Sequence, residues 1–124
     1  MLEKLELCPF EAFGDVLTGS SLARSQGSPV GMAYRIYTEG GMLRASWDPG
    51  TVACTVLGPH ASLHWSDPGL LTVDDRGVTR LQSSPEGNCR ILLRHGTAES
   101  AARWIEELLS RTEDTMQAAM ALLK

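Results

Sequence analysis

The stretch that most limits what this chain can fold into is the last one, residues 97–124, which reads as a single amphipathic helix. Ala101, Ile105, Leu108, Thr112, Met116, Ala119 and Leu123 recur every three or four residues and make one stripe. Trp104 and Leu109 widen it. Thr97 offers a hydroxyl to a backbone N–H one turn on, and Glu99 sits in the first turn, where the helix dipole favours negative charge. Glu99, Arg103, Glu107 and Arg111 alternate in sign four residues apart, which supports a solvated outer face by roughly 0.2–0.5 kcal/mol per pair. The stripe needs apolar surface to lie on, so the rest of the chain must supply it. Unbroken, the segment is about 40 Å long at 1.5 Å per residue, more than a small sheet covers. The polar run Thr112-Glu113-Asp114-Thr115 can cap a second helix, so 112–124 reads as a helical extension. Its Met116, Met120 and Leu123 form a soft apolar patch suited to a partner.

Before the helix, turn signals come at regular intervals. Gly40-Gly41, Asp48-Pro49-Gly50, Gly58-Pro59, Ser66-Asp67-Pro68-Gly69, Asp74-Asp75-Arg76-Gly77 and Pro85-Glu86-Gly87-Asn88 each combine residues that preset φ or tolerate positive φ. Strand-length segments separate them. Residues 32–38 place Met32, Tyr34 and Ile36 on one side. Residues 42–47 place Leu43, Ala45 and Trp47 together, and 51–57 set Val52, Cys54 and Val56 against Thr51 and Thr55. Residues 61–65, 70–73, 78–83 and 89–95 follow; in the last, Cys89, Ile91 and Leu93 face one way and Arg90 and Arg94 the other. Period two with one polar face predicts seven antiparallel strands in a meander, curled into an open barrel that the closing helix plugs. Upstream, residues 2–8 are a first strand or a helical turn. Pro9 opens a short helix with Phe10, Phe13 and Leu17 on one side. The Ser- and Gly-rich residues 18–29 read as a flexible loop. The expectation is a single domain over 1–124, mostly β with α.

Such an arrangement resembles the pleckstrin-homology superfold. The likeness is strongest at 88–111, where Cys89-Arg90-Ile91-Leu92-Leu93-Arg94 runs into Thr97-Ala98-Glu99-Ser100-Ala101-Ala102-Arg103-Trp104-Ile105. The resemblance implies that Trp104 is the core indole of the closing helix. It also implies a phosphate-binding loop between the first strands, for which this chain offers Arg24, Arg35 and Arg44. No lysine lies between Lys4 and Lys124. The resemblance therefore points to members that bind proteins or peptides, with phosphoinositide binding as an alternative.

The net charge of −4 and the shortage of lysine argue against binding nucleic acid or an acidic membrane surface. Cys8, Cys54 and Cys89 are odd in number and lack metal-type spacing, which fits a reducing, cytoplasmic setting. No segment is long and apolar enough to span a bilayer. His60 and His64 are the best metal candidates. On a strand, residues four apart lie roughly 13 Å from each other, and no acidic or thiol ligands accompany them. No nucleophile elbow surrounds Ser20, Ser21 or Ser25. Trp47 and Trp65 end strands, where an exposed indole would be a hot spot for a partner. The expectation is therefore a non-enzymatic interaction domain without cofactor or metal, binding through a sheet edge, the groove beside the closing helix or the Met-rich tail, with Trp47 or Trp65 as an added contact. Two rivals accompany it. The acidic balance and terminal helices suit a small dimeric chaperone resembling the bacterial type III secretion class, which would make the chain a homodimer. A cupin-like barrel enzyme would use histidines on strands.

Overall fold

The computed structural model describes residues 4–24, 27–60 and 62–123, except the side chains at 112, 113, 116, 117, 119 and 120. In chain order it comprises β1 (Leu5–Leu7), α1 (Phe10–Phe13), β2 (Leu17–Thr18), a 3₁₀ turn (Ser20–Arg24) and α2 (Pro29–Tyr37). Then come β3 (Arg44–Ala45), α3 (Trp47–Leu57), β4 (Leu63–Trp65), β5 (Gly69–Val73), β6 (Thr79–Ser83), β7 (Cys89–Arg94) and α4 (Ala98–Leu122). This is a mixed α/β domain. The seven-stranded barrel is overturned: the strands form a five-stranded and a two-stranded sheet, and neither closes.

Two of the expected strands are helices. In α2, Ser28 caps Gly31 N–H at 3.0 Å and Pro29 takes the first helical position. The inward residues there are Gly31, Tyr34 and Thr38, a helical spacing; the alternation of Met32, Tyr34 and Ile36 misleads, since Met32 and Ile36 are exposed. In α3, Gly50, Ala53 and Cys54 are buried while Trp47 and Thr51 are half-buried, again one helical stripe. Its β-branched residues favour a strand locally, but packing decides. The hydroxyls of Thr51 and Thr55 donate to the carbonyls four residues back at 2.7 and 2.8 Å, so they are satisfied inside the helix. Asp48-Pro49-Gly50 is thus the first turn of a helix, where proline lacks no needed donor.

The second half of the chain does fold into strands, around β7. The start of β7 pairs in parallel with β1 (Leu5↔Cys89, Leu7↔Ile91). A parallel neighbour needs a long crossover, which the three intervening helices provide. The end of β7 pairs antiparallel with β4 (Leu63↔Arg94, Trp65↔Leu92). Beyond Ser66, whose N–H donates to the Ile91 carbonyl at 2.8 Å, β5 touches β7 at Gly69↔Cys89 and continues as a hairpin with β6. Gly69 and Gly87 meet so closely that a Cβ on Gly87 would lie 2.3 Å from the Gly69 carbonyl carbon. The small ribbon pairs β2 with β3 (Leu17↔Ala45) and buries a Thr18–Ser46 hydroxyl pair.

The core lies where α1, α3 and α4 cover β4 and β7: Ala12, Phe13, Val16, Cys54, Leu63, Leu92, Ala101 and Ile105. Each aliphatic side chain buried this way contributes roughly 1.5–3 kcal/mol. The helix-covered face of β7 is the one carrying Arg90, Leu92 and Arg94, whereas Leu93 is exposed. Burial on β7 therefore does not follow one face: Cys89 is fully buried on the side of Ile91 and Leu93, while Leu92 is buried on the side of the two arginines. Leu92 enters the core, and Arg94 runs its stem beneath the helices to donate to Asp15 at 2.8 Å. That guanidinium holds the Asp15 carboxyl below its ordinary range. In the short α1, Phe13 is buried, but Phe10 and Leu17 are exposed rather than on one apolar side with it.

Candidate interaction site

The core-facing stripe of α3 leaves its other face outward. Val52, Val56 and Leu57 are 61%, 73% and 61% exposed. On α4, Ala101 and Ile105 point to the sheet, which turns Leu108 and Leu109 toward α3. The two helices thus form the walls of a groove of about 420 Å³, with Asp48 and Pro49 at one end. A second hollow, of about 320 Å³, lies between α2 and the start of α3 and shares Asp48 and Pro49 with the first. There the Arg44 guanidinium sits 3.7 Å over the Tyr37 ring.

The anticipated contact residues are not brought together. Trp47 is half-buried, with its Nε1–H donating to the Phe10 carbonyl at 3.1 Å and its ring 4.6 Å from that of Phe10; it lines the second hollow. Trp65 is half-buried on β4 and packs on the core. Leu123 is exposed just beyond α4. Met116 and Met120 belong to α4, but their side chains lie outside the described residues. Arg24, Arg35 and Arg44 stand on three elements, the 3₁₀ turn, α2 and β3. The resemblance made Trp104 a core indole; it is half-buried, packs against the core and stacks on His60 at 5.2 Å.

Sequence reasoning missed Val52, Val56 and Leu57 as outward residues, because a strand reading put the valines inward. The signal was present in Val52 and Val56, four apart behind Ser46 and Pro49. It also missed Glu106. This carboxylate accepts from the amides of Gly19 (2.7 Å), Ser20 (2.9 Å) and Ser21 (3.1 Å), from the Ser20 hydroxyl (2.9 Å) and from the Ser21 hydroxyl. It caps the 3₁₀ turn from another element and ties that turn to α4. Partial burial works against its ionisation, but the hydrogen bonds from Ser21, Gly19 and Ser20 outweigh it and hold the carboxyl below its ordinary range.

The thiols are poised against nucleophilic chemistry. Burial, with a smaller contribution from Cys8, pushes Cys54 up to about 11, and burial raises Cys8 and Cys89 as well. Among the described residues no three His, Cys, Asp or Glu side chains gather as a metal cluster, and no helix is long and apolar enough to cross a membrane. Architecture and site define the class of the molecule: a mixed α/β domain with an apolar groove between two helices. Comparison with family models, curated proteins and solved structures returns no match.

Proposed function

We propose that the chain is a non-enzymatic interaction module that takes an amphipathic helix of a partner protein into the α3–α4 groove. The observation that carries this reading is the groove lining. Val52, Val56, Leu57, Ile105, Leu108 and Leu109 supply aliphatic surface, and among the described residues that line it the one ionisable side chain is Asp48 at one end. Small polar substrates need several convergent polar groups to orient them, which this lining lacks. A helix that lays apolar residues at i, i+3, i+4 and i+7 along it needs only aliphatic contact and a wet rim. The three unpaired thiols support a reducing, cytoplasmic setting for such a module.

A displayed library of amphipathic-helix peptides, selected on the whole chain, tests this. Selected peptides are expected to lose at least about thirtyfold in affinity for Val56→Glu, since a central apolar contact is worth about 2 kcal/mol or more. Val56 is exposed, so the variant should keep the wild-type denaturation midpoint. Peptides that bind the variant equally well, or a library that yields no binder, would overturn the reading. A second reading has its own support. Met32, Ile36 and Tyr37 are exposed on α2, giving a second apolar face of the kind a dimeric secretion-type chaperone offers to unfolded cargo. Light scattering separates the two: a dimer favours the chaperone, a monomer the helix-binding module.

A further inference from the structure

We propose that His64 and His95 form a two-imidazole site for a divalent transition-metal ion, zinc or copper(II), on the face of the sheet opposite the helices. The backbone builds the pair. His64 stands opposite Leu93 in the β4–β7 ladder, and the His95 N–H donates to the Ser62 carbonyl at 3.1 Å, so pairing runs one step past β7. His95 is therefore the diagonal neighbour of His64 on the same face, within reach of long side chains. The two Nδ1 atoms are 2.9 Å apart, with ring centroids at 4.8 Å and the planes tilted by 53°.

Two neutral imidazoles at that distance share one proton. One Nδ1 donates and the other accepts, which forces opposite tautomers. A divalent ion can take that position, the proton moving to Nε2 of the donor ring so that both Nδ1 lone pairs face the ion and each imidazole stays neutral. With metal–nitrogen bonds of about 2.0–2.1 Å, two cis imidazole nitrogens lie about 2.9 Å apart at a right-angled centre and about 3.4 Å at a tetrahedral one. The observed spacing already falls at the lower end, so the rings need little movement to chelate. A hollow of about 390 Å³ beside His64, lined also by Ser66, Asp67 and Ser83, leaves room for the water that fills the other coordination positions. Two imidazoles and water suit zinc, nickel and copper(II), with copper bound most tightly. The sequence pair His60 and His64 is not the site, because His60 stacks on Trp104 instead.

Calorimetric titration of the full chain with zinc(II) tests this, backed by electron paramagnetic resonance of the copper(II) form. One ion per chain should bind at micromolar concentration. His64→Ala and His95→Ala should each weaken binding at least tenfold, and His60→Ala should leave it unchanged. Both imidazoles are exposed, so the variants' unfolding midpoints without metal should match that of the parent. In the wild-type chain, zinc should shift the ring resonances of His64 and His95 first, a readout that needs no variant. Copper should show two coordinated nitrogens. Millimolar or absent binding, an equal loss in His60→Ala, or wild-type affinity in both alanine variants would overturn the proposal.

Discussion

Replacing Phe13 by alanine is expected to remove about 3–5 kcal/mol of folding stability, a large share of what a domain of this size holds. Phe13 is 1% exposed and lies at the meeting point of α1, α3 and α4. Its ring lies so close to α3 that a Cβ at Gly50 would come within 2.4 Å of it. The backbones of α1 and α3 are held by other contacts, so the space left by the ring cannot close, and the loss combines lost burial with a residual cavity. Phe10, three residues earlier, is the internal control. It is 66% exposed, with its ring tilted against that of Trp47, so Phe10→Ala should cost about 1 kcal/mol. Urea unfolding of the two variants measures the difference. Equal losses would mean that α1 packs by another face than the one described.

Glu106→Gln is expected to cost about 2 kcal/mol at neutral pH. A charge-assisted hydrogen bond is worth roughly 1.5–3 kcal/mol, and the amide that replaces the carboxylate turns one acceptor into a donor facing other donors. The half-buried position keeps the figure well below the sum of the bonds, because water replaces part of what is lost. The effect depends on pH in a fixed direction. The folded carboxyl titrates below its unfolded value of about 4.5, so its contribution is complete above that value. It fades as the pH drops through the lower, folded value. Wild type should therefore exceed Glu106→Gln by a constant margin above about pH 6, and the two stability curves should converge below about pH 4. Parallel curves down to pH 3 would show that the carboxylate is not ionised against those amides.

The strands of the second half were legible because each carries local instructions: a turn cluster at both ends and a residue pattern of strand length between. The closing helix was legible for the same reason, with Thr97 accepting from Ser100 N–H at 3.1 Å as its spacing required. The first half was not. Residues 32–38 and 51–57 alternate well enough to pass as strands, and the contrary hints are Ser28 before Pro29 and, for α3, Pro49 with Val52 and Val56 four apart. The side of β7 that carries Arg90 and Arg94 was read as wholly polar because arginine counts as polar in any pattern, although Leu92 between them is buried and Arg94 reaches Asp15 from a largely covered stem.

What the sequence determined alone is what short-range chemistry controls: the hairpin turn at Asp74–Gly77, the cap at Thr97 and the apolar stripe of α4. Tertiary structure decided what depends on partners distant along the chain. It assigned helix rather than strand to α2 and α3, it set the carboxylate of Glu106 on the amides of Gly19 to Ser21, and it exposed the valines of α3 beside Leu108 and Leu109. Residue spacing encodes which side chains share a face. It does not encode which face the rest of the molecule covers, because that follows from packing between segments whose separation in the chain carries no local signal.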